Sequence, residues 1–243
     1  MIDVDRVYVV HVKTGYQERR EHISRELSGR GIQFRFMLDG DIPDIEPSHL
    51  DIYFEGPMHL VSPSSSCALK HFLIYEEIVA QDIPLTLVLE DDAVLAPEFN
   101  AVFNESMAEL RKLHGGPDKG TIVSYENSTL RFVPQSRLCD KTRLYAADRG
   151  RCAGAYVVTR AAAAAILKEA KSKKCSLPVD LYHNELIRQG LIQIFWCHPP
   201  IVEQGSHSGL FASGIDGKKS GLLRKLSWGL QKFYKRAVLN LFR

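Results

Sequence analysis

The sequence has no long apolar run: its hydrophobic stretches reach strand or core-helix length and fall short of the roughly 20 residues that span a bilayer. No membrane crossing is therefore expected. Paired cysteine motifs are missing as well. The five cysteines, Cys67, Cys139, Cys152, Cys175 and Cys197, are odd in number and widely spaced, with no Cys-x-x-Cys pair of the kind that binds zinc or cycles a disulfide. Reduced, mostly buried thiols are the expectation. Met1-Ile2-Asp3-Val4-Asp5-Arg6 opens acidic and mixed, without the basic start and apolar stretch of a secretory leader, which argues against secretion and leaves the acceptor-type triplet Asn127-Ser128-Thr129 idle. A net charge of +2 is too small to argue for nucleic acid. The first strand is followed by no glycine-rich basic loop of the type that cradles a nucleoside triphosphate, which counts against a nucleotidyltransferase.

What is present is an ordinary globular composition, 45% hydrophobic and 25% charged over 243 residues, enough for one sizeable core. Val7-Tyr8-Val9-Val10 reads as a strand. A polar stretch from Lys13 leads into a helix with Ile23 and Leu27 at i,i+4, closed by Gly29 and Gly31. Ile32 to Met37 alternates with period two, as a half-buried strand does. Asp39 to Pro63 shows no sustained period and reads as a long loop, and Ser64-Ser65-Ser66 is placed to cap a helix that ends before Pro84. The continuous apolar run Leu85 to Leu89 is the pattern of a strand covered on both faces. A helix follows Pro97 as far as Leu113, then strand candidates at Thr121–Tyr125, Ala153–Val158 and Leu191–Trp196, with Thr159 capping an alanine-rich helix. Strands alternating with helices predict an α/β sandwich with a mainly parallel sheet, which binds ligands at the carboxyl ends of its strands.

At such an end stands Glu90-Asp91-Asp92. Three adjacent carboxylates repel one another and need a cation or strong donors to stay ionised when partly buried. Oxygen ligands of this kind suit Mg²⁺ or Mn²⁺, which in turn bind a diphosphate. Extended backbone would put Glu90 and Asp92 on one side and Asp91 on the other. The competing reading is a solvated acidic turn with a capping role.

From Lys218 onward Lys218, Lys219, Arg224, Lys225, Lys232, Lys235, Arg236 and Arg243 occur with no acidic partner, interleaved with apolar residues from Leu222 to Phe242. This is the pattern of a basic amphipathic helix lying in an anionic membrane interface. The expected organisation is a domain over 1–215 and a membrane-association tail over 216–243, placing the chain in the cytoplasm on the inner face of the plasma membrane.

Leu89-Glu90-Asp91-Asp92-Ala93 resembles the acidic motif of the family 25 glycosyltransferases, which include bacterial lipooligosaccharide sugar transferases and collagen galactosyltransferase domains. Ser66-Cys67-Ala68-Leu69-Lys70-His71 is similar to the family's Gly-Cys-x-x-Ser-His helix start, with departures at Ser66 and Lys70. Gly154 to Arg160 resembles its Ala-Tyr strand, and Pro178-Val179-Asp180 with Pro200 to Gln204 its closing blocks. Arg19-Arg20 sits where the family has a basic pair. Together these blocks span roughly residues 5 to 215.

The resemblance implies a GT-A-type fold, a nucleotide-sugar donor such as UDP-galactose, Mn²⁺ or Mg²⁺, inversion at the anomeric centre, and a lipid-anchored, lipooligosaccharide-type glycan acceptor. By that analogy Asp92 binds the metal and Glu90 or Asp91 contacts the ribose or metal-bound water. Asp180 is the base or an acceptor-binding carboxylate, with a plain helix N-cap as the alternative. His207, in a Gly/Ser loop, would complete the metal shell. One of Arg19 and Arg20 faces the diphosphate or nucleotide edge and the other is a solvated helix charge. His71 is expected to be a hydrogen-bonded core histidine. The rival from another class is a membrane-surface binder of glycans or nucleotides on a degenerate transferase fold.

Overall fold

The computed structural model of the chain describes residues 1–113, 120–128, 131–208 and 210–211. Seven strands form one sheet: β1 (Arg6–Val10), β2 (Arg35–Met37), β3 (Leu85–Glu90), β5 (Gly120–Ser124), β6 (Leu144–Ala147), β7 (Ala155–Thr159) and β8 (Ile192–Cys197), in the order β2-β1-β3-β7-β5-β8-β6. β2, β1, β3, β5 and β8 run one way, whereas β7 and the edge strand β6 run against them. A separate two-stranded ribbon pairs β4 (Ala93–Leu95) with β9 (Val202–Gln204). This is the expected α/β sandwich with a mainly parallel sheet.

Period two decides what each face of the sheet carries. Val7 and Val9 of β1, Leu87 and Leu89 of β3 and Val157 of β7 pack into a core with α1 (Gln17–Ser28) and α4 (Phe99–Leu113). Tyr8, Val10, Val88, Tyr156 and Val158 pack into the other, with α2 (Pro47–Tyr53), α3 (Pro63–Ala80), α5 (Arg160–Lys173) and α6 (Val179–Arg188). Buried on both sides, β3 has no polar alternation to show, which is why it reads as a continuous apolar run.

Some elements differ from the sequence expectation. The stretch 39–63 is not a bare loop: it holds α2 and single 3₁₀ turns at Ile42–Asp44 and Gly56–His59. Seven residues are too few to display a period, and α2 announces itself only by Pro47 at its first position and the reciprocal cap between Glu46 and His49. The cap of α3 is Ser62, whose hydroxyl accepts from the Ser65 amide, with Pro63 at the first helical position. Ser64-Ser65-Ser66 therefore lies inside the helix. β2 covers only the last half of the alternating stretch, and β6 lies between the strands expected at 121–125 and 153–158, where the sequence reading names none. Thr159 caps α5 as expected, accepting from Ala162.

A buried polar chain ties α3, β7 and α6 together. His71 Nδ1 lies 2.7 Å from the Tyr156 hydroxyl, which lies 2.5 Å from that of Tyr75, itself 2.8 Å from His183 Nε2. His71 is thus the hydrogen-bonded core histidine its sequence context suggests. Burial first of all lowers its pKa to about 4, and that of His183 to about 3. Between those values and the unfolded value near 6.5 the unfolded chain binds protons that the folded one does not, so stability falls as pH drops through this window. Each histidine is expected to cost roughly 1–2 kcal/mol at pH 5 relative to pH 7. Urea midpoints at the two pH values check this: His183→Gln should shrink the difference, and an unchanged difference would contradict the assignment.

Candidate active site

Parallel pairing of β1 with β3 sets the site. Val10 lies opposite Glu90, so the residues that follow, His11 and Asp91, meet beyond the strand ends. His11 Nδ1 is 2.7 Å from Asp91 Oδ2, and Arg19 Nη1, in the first turn of α1, donates to Asp91 Oδ1 at 2.9 Å. Asp91 is therefore a buried carboxylate with a partner on each oxygen. The Arg19 guanidinium also lies over the rings of Tyr16 and Phe211, 4.8 and 5.6 Å from their centroids.

The backbone does not stay extended through the triplet. It turns at Asp91-Asp92 to enter β4, so the alternation of sides expected for Glu90 and Asp92 against Asp91 does not apply, and all three line one cavity. Asp92 is 2% exposed. Its Oδ2 accepts from the Ser206 amide at 2.9 Å and its carbonyl from Gly205 at 2.8 Å, at the start of the short α7 (Gly205–Ser208). Its Oδ1 is buried with no hydrogen-bond partner among the described residues. A buried anionic oxygen without a donor is costly, and a cation is one of the few partners that would satisfy it.

Glu90 ends β3 and stays partly open to the cavity. Burial raises its carboxyl pKa to about 8, and the charges of Asp92, Asp91 and Asp180 push the same way against the opposing pull of Arg19. Glu126, just past β5, is likewise raised to about 8, by burial and then by Glu90. It accepts from the amides of Cys152, at 2.9 Å, and Gly154, at 3.1 Å. Gly154 must lack a side chain here, because a Cβ would fall 2.4 Å from Gln204 Nε2 and 2.5 Å from Glu126 Oε1.

The cavity has a volume of about 310 Å³. Glu90, Asp91 and Asp92 form part of its wall, with His11, Tyr16, Arg19 and Ser206. One face of α3 supplies Pro63, Ser66, Cys67 and Lys70, spaced at i, i+3, i+4 and i+7. Lys70 is buried and pairs with Asp41 at 2.7 Å. Of the two arginines Arg19 reaches the site. Arg20 does not, and it is no freely solvated charge either, since its guanidinium lies 4.7 Å over the Phe36 ring. Asp180 is not the cap of α6, a position held by Pro178, but sits in its first turn. It stands outside the cavity wall yet within electrostatic reach of Glu90, Cys67 and His71. The backbone of His207 belongs to α7, and its side chain lies outside the described part of the structure, as does the tail 216–243. Among the described residues no helix is long and apolar enough to cross a membrane.

Residues 4–183 match the family model described as glycosyltransferase family 25 (LPS biosynthesis protein). The chain belongs to glycosyltransferase family 25. Among curated relatives, the lipooligosaccharide biosynthesis protein lic2B of Haemophilus influenzae is 31% identical over 91 residues, 36% of this chain and 34% of its own. A glycosyltransferase 25 family member of Aedes aegypti is 24% identical over 191 residues, 74% of this chain and 30% of its own. The chain spans about a third of the length of these relatives. Among solved structures, a glycosyltransferase involved in the glycosylation of the major capsid of PBCV-1 aligns over 93% of this chain and 100% of its own, at 9% identity and a TM-score of 0.42.

The mainly parallel α/β sandwich carries the family's acidic triplet at the end of β3. His11 and Glu126 were not singled out from the sequence. For His11 a signal exists: it directly follows one apolar run as the triplet follows another, and parallel strands with aligned ends bring such residues together. Glu126 has none, since its approach to Glu90 depends on β7 lying between β3 and β5 in the sheet. We expect Gly154→Ala to destabilise the fold by about 1–3 kcal/mol through overpacking against Glu126 and Gln204, read from urea unfolding. Unchanged stability would contradict the close approach.

Proposed function

We propose that this family 25 chain transfers a sugar, galactose from UDP-galactose with inversion, onto a lipooligosaccharide or related cell-surface glycan, using Mn²⁺ or Mg²⁺. The observation that carries this reading is the buried, unpartnered Oδ1 of Asp92 in a cavity walled by two further carboxylates. Oxygen donors of this charge suit a hard divalent cation, so the residues present fit the group. Asp92 would hold it, with Glu90 beside it and His207 as the candidate remaining ligand. Such an ion neutralises charge on a departing diphosphate. Glu90 and Glu126, both held protonated near neutral pH by burial and mutual repulsion, would ionise more readily beside it.

The chain's own residues divide the remaining work. Arg19, fixed by Asp91 and the two aromatic rings, offers guanidinium donors toward a diphosphate. The first turn of α3, with Ser66 on the wall, adds the partial positive charge of a helix start. Tyr16, 44% exposed at the cavity wall, is placed to stack on a base. Inversion requires a base on the face away from the nucleotide. Asp180, outside the donor cavity but close enough to influence Glu90, is the residue we assign to take the acceptor proton. The basic segment 218–243 would hold the enzyme at an anionic leaflet, on the inner face of the plasma membrane, where lipid-anchored acceptors reside.

The test is UDP release by the full chain from a panel of UDP-sugars, with and without Mn²⁺ and a deacylated lipooligosaccharide acceptor. Acceptor-stimulated, Mn²⁺-dependent release is expected. No release from any donor would overturn transferase activity and favour a glycan- or nucleotide-binding role. Asp180→Asn is expected to lower kcat by about 10²-fold or more with donor affinity nearly unchanged. Equal loss in both would make Asp180 a donor-binding residue. Deletion after Asp216 should release the protein from anionic vesicles while leaving transfer to a soluble acceptor, and a truncated protein that still sediments with them would contradict the membrane role.

A further inference from the structure

Nothing in the proposed transfer reaction uses Cys67 or His71, yet the two stand four residues apart on one face of α3, the spacing that brings two helical side chains together. Glu90 completes a triangle with them. Its Oε1 lies 3.8 Å from Cys67 Sγ and 3.9 Å from His71 Nε2, and the three atoms fall within 4.8 Å of one another. His71 is fully buried and its Nε2 has no hydrogen-bond partner among the described residues. A buried ring nitrogen left in that state has given up water and gained nothing in exchange. Its other nitrogen is held by the Tyr156 hydroxyl, itself held by Tyr75, so the ring is oriented with Nε2 toward Glu90. Metal-binding histidines are oriented in this way, one nitrogen on a fixed partner and the other on the ion.

The donors are a thiol, an imidazole and a carboxylate, a mixture that favours zinc-class cations over Mg²⁺ or Mn²⁺. Standard zinc bond lengths in a tetrahedral site put such donors roughly 3.3–3.6 Å apart. The two edges at Glu90 need shifts of only a few tenths of an ångström to meet that range. Negative charge is plentiful, since Asp91 and Asp180 also act on Cys67 alongside Glu90. Asp91 has Arg19 and His11 as partners, whereas the one ion-pair contact of Glu90 among the described residues is His71 itself.

The geometry points to a second metal site in this chain, in which Cys67 Sγ, His71 Nε2 and Glu90 Oε1 bind a zinc-class divalent cation and leave a fourth position open. Cys67 binds as the thiolate and its proton passes to solvent. Neither Asp92 nor a nucleotide sugar enters the site, so it does not rest on the transferase reading, and Glu90 is the one residue the two sites share. An ion there anchors Glu90 to α3 and fixes one wall of the donor cavity.

Cobalt titration of the metal-free full chain tests it, because Co²⁺ bound by thiolate gives a near-ultraviolet charge-transfer band that oxygen ligands do not. The band should saturate at about one equivalent, disappear on adding Zn²⁺, be absent in Cys67→Ser and persist in Asp92→Asn. His71→Gln, checked for native circular dichroism, should weaken Zn²⁺ binding by roughly tenfold or more. In the unsubstituted chain, saturating Zn²⁺ should protect Cys67 from maleimide, mapped by peptide mass spectrometry. A missing band in the unsubstituted protein, a full band in Cys67→Ser, or an unprotected Cys67 would each overturn the site.

Discussion

The structure is organised around an electrostatic problem at the end of one strand. β3 is covered on both faces and delivers Glu90, Asp91 and Asp92 directly from an apolar core into a cavity wall. Desolvation and mutual repulsion both oppose three charges there. Each carboxylate meets the problem differently. Asp91 takes His11 and Arg19. Glu90 is driven toward its protonated form, with a pKa near 8. Asp92 satisfies one oxygen on the backbone of α7 and leaves the other without a donor. The first solution is complete within the chain, whereas Glu90 faces the Cys67–His71 pair and Asp92 keeps an oxygen that a cation would satisfy.

Much of the surrounding fold serves this arrangement. The parallel register of β1 on β3 brings His11 to Asp91. The turn into β4 carries Asp92 to the start of α7, where the Gly205 position allows close approach: a Cβ there would lie 2.9 Å from the Asp92 carbonyl oxygen and 2.5 Å from Phe211. Antiparallel β7, inserted between β3 and β5, places Tyr156 against His71 and the Gly154 amide against Glu126. The cavity, the buried histidine chain and the Cys67–His71–Glu90 triangle are thus neighbours around the end of β3, linked through Glu90.

Legibility from sequence followed the strength of the local pattern. Long elements with clear periods, such as α1, α3, β3 and α5, are readable because one face or both must be apolar over many residues. α2 and β6 are too short to show a period, and the Ser62 cap is hidden by a serine run that offers several equivalent hydroxyls. In the site, the triplet is conspicuous because carboxylates interrupt an apolar strand. Arg19 and Arg20 are adjacent letters, and only the phase of α1 sends one to Asp91 and the other onto Phe36. His11 and Glu126 join through strand register and crossover, which no local window contains.

The central claim is that Asp92 holds a divalent cation that bridges to a nucleoside diphosphate. Joint titration calorimetry of UDP and Mn²⁺ tests it most directly. Each ligand should raise the affinity for the other by the same factor in the unsubstituted chain, as linkage requires, and that coupling should vanish in a folded Asp92→Asn variant. Coupling of undiminished size in the variant, or UDP binding indifferent to Mn²⁺ in the unsubstituted protein, would contradict the account.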